Sequence, residues 1–297
     1  MYIDGYNLYY GCLKGTNYKW LDLFKLFNDY ILPSSSPSNF TINEKSIKFF
    51  TADIIDKAAM SSDSLNDQRS YHHALKLNSQ DNSLEIIKGY YSVTSTRAFH
   101  IEEGAHKKLP NQCQKVNVWK LEEKQTDVNI AVESLYDVLT DNTLEQVVFV
   151  TNDTDLAPAL AKIASLNKVN IGLVIPTTDS VRQPNAELVK HADWTRKNIT
   201  INELQLSQLP RIIHGERKPA IKPIGWFGQP TIIEQIIQTL LLVEKNRTKC
   251  WRWLELEPPI FPDLPQLTEK PIDLLNDLET ANIVLQYALK YVQIKQS

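Results

Sequence analysis

Two short, continuous apolar runs, QVVFVT (146–151) and NIGLVIP (170–176), flank a stretch in which Leu156, Leu160, Ile163 and Leu166 recur every three or four residues. Runs that are apolar at every position suit strands covered on both faces. The stretch between them reads as a helix with one apolar stripe. The pattern repeats upstream, where Val128, Ala131, Leu135 and Val138 make a stripe across 126–139. SIKFFTADI (46–54) and SLEIIKGYYS (83–92) are rich in β-branched and aromatic residues and have turn formers nearby, as strands do. Alternating strands and helices of this kind predict an α/β fold, a parallel sheet with helices on both faces.

The pattern breaks near residue 210. LPRIIHGERKPAIKPIGWFGQP holds several Pro and Gly residues with little periodicity, so 211–229 reads as a linker between a first domain, 1–210, and a helical C-terminal domain, 230–297. In the latter, PTIIEQIIQTLLLVEKN is helical, with Thr231 and Glu234 spaced as a capping box. WRWLELEPPIFPDLPQ reads as a Pro-broken loop with aromatic anchors, and the chain ends in one or two further helices. The longest apolar run, IIEQIIQTLLLV, is interrupted by Glu234, Gln235 and Gln238, too short and too polar to span a bilayer. Three widely separated cysteines, Cys12, Cys113 and Cys250, with no leader pattern ahead of them, point to a reducing, cytoplasmic setting. The net charge of -3 excludes a chain that binds polyanions by overall charge; only a local basic surface would serve.

Acidic residues collect where such a sheet receives ligands, past the carboxyl ends of strands. Asp4 ends the first strand, Asp153 and Asp155 follow the strand at 146–151, and Asp127 begins a helix with Thr126 placed to cap it. Each alone is ordinary turn or helix-start chemistry. Together, four carboxylates at one edge would raise one another's pKa unless cations neutralise them. An all-oxygen cluster suits Mg²⁺ or Mn²⁺ rather than Zn²⁺, and such ions activate water for displacement at phosphorus.

YIDGYNLYYG, EEKQTDVNIAVE and VTNDTDLAPAL resemble the three signature stretches of the NYN domain, a branch of the PIN-like nucleases. The likeness continues through FFTADI, QRSYHHAL, IIKGYYS and IGLVIPTTDS to about residue 210. It implies a PIN-like α/β/α three-layer fold with a central parallel sheet, and a metal-dependent endoribonuclease. Carried over by position, Asp4, Asp127, Asp153 and Asp155 match the metal-binding acids, and Asn7 matches the opening-motif asparagine that orients water or a phosphate oxygen. Thr126, Thr151 and Thr154 would support the aspartates, and Lys14, Arg69 and Lys124 would contact RNA, single-stranded or structured. The runner-up reading is an NYN fold that binds RNA or protein and catalyses little. Only Met1, Tyr2 and Ile3 precede Asp4, which predicts an unusually short first strand or a natural start further upstream.

Other groupings carry less. His100, His106 and Cys113 lie in an apparent insert, 93–118, but their spacing fits no zinc pattern and a fourth ligand is missing. His72 and His73 share a helix with Arg69, where packing or solvation is the expected role. Basic residues near aromatics, among them Lys19, Trp20, Tyr71, Arg97, Lys107 and Lys108, would line a groove for single strands. In the tail, CWRWLELEP followed by KPIDLLNDLETANIVLQYAL resembles, over a short span, the toxin-binding module of MbcA/ParS-type antitoxins. That implies a protein partner, or self-association, through the C-terminal domain.

Overall fold

A computed structural model describes residues 1–37, 42, 46–55, 59, 63–79, 83–101, 108–178, 182–257 and 259–297. The chain separates into two compact units: Met1–Cys12 with Asp22–Ala220, and Leu13–Leu21 with Ile221–Ser297.

The first unit is built on a seven-stranded sheet: β1 (Tyr2–Asp4), β2 (Ile47–Asp53), β3 (Leu84–Phe99), β4 (Lys115–Lys124), β5 (Gln146–Val150), β6 (Asn170–Val174) and β7 (Trp194–Arg196). Their order is β4-β3-β2-β1-β5-β6-β7. Every neighbouring pair is parallel except β3 with β4, which is antiparallel. Phe149, Leu160, Ile163 and Leu173 anchor a core shared by the sheet and the helices Thr126–Thr140 and Ala157–Leu166.

The short first strand is real and central. β1 has three residues, all buried, paired with β2 on one side and β5 on the other. Three residues give too few ladder bonds to hold a strand on their own, so other groups tether it. The amino terminus donates to the Ser46 carbonyl at 2.6 Å, and the Tyr2 hydroxyl donates to Asp137 at 2.9 Å. The Tyr2 ring packs on Phe149 with centroids 5.2 Å apart. Asp137 and Glu133 also pair with Lys48, at 2.7 Å each, so the helix Thr126–Thr140 is bound to β1 and β2 by charge as well as packing.

The structure specifies one local expectation and corrects another. The apparent insert 93–118 is in part a β-hairpin: β3 runs on to Phe99 and β4 returns from Lys115, in register from Phe99↔Lys115 to Tyr90↔Lys124. Thr126 is not a cap. Gln125, with φ 74°, holds the capping position, and Thr126 is already the first helical residue. The chain turns there against Gly89, where a Cβ would lie 2.3 Å from the Lys124 carbonyl and 2.7 Å from the Thr126 hydroxyl.

In the second unit the helices Pro230–Leu240, Arg247–Glu255 and Leu278–Gln296 enclose Ile233, Ile237, Leu254, Val284 and Ala288. The stretch WRWLE, expected in a loop, lies in the second of these helices, capped by Asn246 accepting from the Lys249 amide. The Thr231–Glu234 capping box does not form, because Pro230 already occupies the first turn. Glu234 instead pairs with Arg247 at 2.8 Å. From the segment Leu13–Leu21, Trp20 is fully buried with its ring 6.1 Å from that of Trp226. Among the described residues no helix is long and apolar enough to cross a membrane.

Candidate active site

The site forms past the carboxyl ends of β1 and β5. Asp4 ends β1 and is buried. Its Oδ1 accepts from the Asn7 amide at 2.9 Å, while its Oδ2 accepts from the Asn7 side-chain amide at 2.6 Å and the Thr151 hydroxyl at 3.0 Å. Burial is the larger effect and pushes its pKa up, with these donors opposing. Thr151 ties two strand ends together, since its hydroxyl also accepts from the Asp153 amide at 3.1 Å. Asp153 in turn caps the next turn by accepting from the Asp155 amide at 3.0 Å.

Asp127 completes the group from the start of the helix Thr126–Thr140. Burial, followed by the like charges of Asp4, Asp153 and Asp155, raises its pKa to about 6. Next to it, Glu123 at the end of β4 accepts from the Thr126 hydroxyl at 2.5 Å and bonds Tyr91; burial raises its pKa as well. Thr154 is exposed.

Three features of the site were not singled out from sequence. Tyr6 and Tyr10, one helical turn apart, pack with centroids 4.4 Å apart and ring planes tilted by 36°, and are 44% and 48% exposed. The i, i+4 spacing of aromatic residues in YNLYY was a readable signal for such a pair. Tyr91 is brought beside them and beside Glu123 by the start of the hairpin. Arg182 places its guanidinium 3.4 Å from the Asn7 side-chain oxygen. Asn152 fastens this segment to the β5 turn, donating to the Gln183 carbonyl at 3.2 Å and accepting from the Asn185 amide at 2.9 Å. Nothing in the sequence marked Arg182, because only the return of the chain after β6 brings it to the end of β1.

The expected substrate contacts are scattered. Lys14 is exposed in the second unit, Arg69 is exposed on the helix Ser64–Asn78, and Lys124 pairs with Glu122 at 3.2 Å. His72 on that helix is buried, and burial drives its pKa down to about 4. His100 is exposed, while His106 and Lys107 lie outside the described residues. For the Mg²⁺ or Mn²⁺ expectation the fit is poor. Among the described residues no group of three or more His, Cys, Asp or Glu side chains is placed to hold a metal ion. Both Asp4 oxygens are already engaged by Asn7 and Thr151.

The NYN domain pattern matches residues 55–195. Along 98% of its length the chain is 41% identical to the 6-hydroxy-3-succinoylpyridine 3-monooxygenase HspA of Pseudomonas putida (strain DSM 28022 / S16), of which it covers 94%. No solved structure matches the chain significantly. This similarity overturns the metal-dependent endoribonuclease: the relative matched along nearly the whole chain is a pyridine monooxygenase by name, not a ribonuclease. It also removes the runner-up, a module that binds and catalyses little. The acidic strand ends that suggested a nuclease belong to the fold and do not by themselves determine the reaction.

Proposed function

This chain belongs to the NYN domain family and to the family of that full-length relative, and from this premise we propose that it is a monooxygenase of hydroxylated pyridines carrying an acidic side chain. The observation that carries the reading is 41% identity spread over 98% of the chain, which leaves no separate domain to account for a different activity. Within the first unit, the acidic strand ends framed by tyrosines and Arg182 are the reaction site, on the PIN-like arrangement the family implies.

The chemistry suits these side chains. The hydroxyl of a 6-hydroxypyridine, once ionised, releases electron density to the para position, ring carbon 3. That is the carbon at which the relative's name places oxygenation. Asp127, with its pKa near 6, takes the hydroxyl proton at neutral pH and is matched to that task. Tyr6 and Tyr10 offer adjoining, half-exposed rings against which a pyridine packs. A succinoyl group ends in a carboxylate, which the surrounding acids would repel; Arg182 supplies a guanidinium for it at the edge of the site. Because ring carbon 3 already carries the succinoyl group, oxygenation there breaks the bond from that carbon to the acyl carbonyl. One atom of dioxygen becomes the new ring hydroxyl and the other becomes water. The acyl group leaves as an aldehyde when a reductant of the reduced nicotinamide or flavin class supplies four electrons in all, or takes up water and leaves as the carboxylic acid when it supplies two. No step is assigned to a divalent metal, because the carboxylates are not placed to hold one.

The test is oxygen uptake with 6-hydroxy-3-succinoylpyridine and each class of reductant, using isotopically labelled dioxygen. Substrate-dependent uptake with one labelled atom in the organic product is expected. Uptake that does not depend on the pyridine, under every reductant tried, would overturn the proposal.

A further inference from the structure

The backbone that carries Arg182 to the site is held on both sides of that residue. Just past β6, the Thr177 carbonyl accepts from the Ile199 amide at 2.8 Å. One residue earlier the Pro176 carbonyl presses on Gly11. A Cβ on Gly11 would lie 1.7 Å from that carbonyl oxygen and 3.6 Å from an Arg182 guanidinium nitrogen. Only glycine lets two backbones approach so closely. Just past Arg182, the Asn152 side chain bridges the Gln183 carbonyl and the Asn185 amide, at 3.2 and 2.9 Å. The guanidinium itself lies 3.4 Å from the Asn7 side-chain oxygen. Gly11 follows Tyr10 directly in the chain, and Asn152 sits between Thr151 and Asp153. The arginine is therefore referenced at once to the tyrosine pair and to the acidic strand ends.

An arginine on a free loop would follow a carboxylate over a wide range of reaches. One whose backbone is held on both sides favours a single span, because only that geometry is ordered in advance. We propose that Gly11 and Asn152 are positioning residues that set the span from the ring-binding tyrosines to the Arg182 guanidinium, and so select the length of the acidic side chain the site accepts. The inference rests on the pyridine reading above, in which the tyrosines take the ring and Arg182 takes the carboxylate. The relative's name supplies the favoured length, a four-carbon succinoyl group. A chain one carbon longer carries the same charge and the same ring, yet its carboxylate overshoots a guanidinium that cannot follow.

Calorimetric binding to the full chain tests this, with reductant left out so that nothing turns over. The ligands are 6-hydroxypyridines bearing at ring carbon 3 a succinoyl, a glutaroyl or an uncharged butanoyl group. Wild type should bind the succinoyl compound about tenfold more tightly than the glutaroyl one, and about tenfold to a hundredfold more tightly than the butanoyl one. Gly11→Ala and Asn152→Ala should each bring the succinoyl and glutaroyl affinities within about threefold of each other while leaving the butanoyl affinity as in wild type. Arg182→Ala should bring all three together. If Gly11→Ala fails to fold, Asn152→Ala decides, since it removes two hydrogen bonds and adds no bulk. Variants that keep the wild-type order, or that weaken all three ligands equally, would overturn the inference. A wild-type chain that binds all three without preference would overturn it and leave the pyridine reading standing, whereas one that binds none would overturn both.

Discussion

Asp127 gathers most of what the site does into one side chain. Half-buried and facing Asp4, Asp153, Asp155 and Glu123, it holds its proton up to about pH 6, and a carboxylate there costs the fold something to keep charged. Replacement by Asn removes the proton acceptor, and turnover should fall on the order of a hundred- to ten-thousandfold. The wild-type rate should fall off on the acid side with an apparent pKa near that value. Stability should move the other way. A folded-state pKa raised above the unfolded one gives stability that is fully present below about pH 4 and lost as pH rises through about 6. Asp127→Asn should therefore melt higher than wild type at pH 7, by about 1 kcal/mol after allowing for solvent screening of a half-exposed group. The difference should close by pH 4, which melts at graded pH will show. Asp4 is a different case. Its pKa too is raised by burial, but it accepts three hydrogen bonds that join β1, the following helix and β5. Asp4→Ala leaves those buried donors unmet and should cost about 2–4 kcal/mol in urea denaturation. The opposite signs separate a side chain held in place for chemistry from one that also holds the fold.

Among the elements, helix Thr126–Thr140 matters most to the site, because its first turn carries Asp127 and its middle holds Lys48 and Tyr2. The helix itself was legible in the sequence, but its buried face is Thr126, Ile130, Ser134 and Val138, and Val128 of the expected stripe is 63% exposed. Its entry was not legible. Gln125 adopts a left-handed conformation and the turn presses on Gly89, a residue thirty-six positions earlier that only the pairing of β3 with β4 brings near. Gly89→Ala would push its Cβ onto the Lys124 carbonyl and the Thr126 hydroxyl. Overpacking of this kind should cost about 1–3 kcal/mol and displace Asp127, so activity should fall together with the melting temperature. The hairpin in the insert was not legible for a related reason. Its strands are exposed on much of both faces, so the inside–outside alternation that marks a half-buried strand is weak there.

At the scale of the molecule, the division of the chain does not follow its order. Segment 13–21 lies in the second unit, where Trp20 is buried against Trp226. A chain ending at residue 220 would expose Trp20 to water. Losing the contacts of a buried tryptophan costs about 3–5 kcal/mol, so the truncated protein should aggregate, or its Trp20 emission, read as the difference from a Trp20→Phe variant of the same length, should lie far to the red. Emission like that of the full chain, with no aggregation, would argue that the first unit is self-sufficient.

By itself the sequence determined the class of fold, the central parallel strands, most helices and the family, because each of these rests on local period or on short motifs whose residues are neighbours in the chain. It also placed the four aspartates near strand ends. Only the tertiary structure decided that both Asp4 oxygens are engaged by Asn7 and Thr151. It also decided that the acids meet a packed pair of tyrosines and an arginine, and that the insert 93–118 builds part of a two-stranded ribbon. The physical reason is common to all of these. Burial, like-charge crowding and the approach of Arg182 to Asn7 depend on distances through space between residues far apart in sequence, and no local pattern encodes those distances. The reaction lies one step further out, since the same acidic edge suits a nuclease by motif and an oxygenase by full-length kinship.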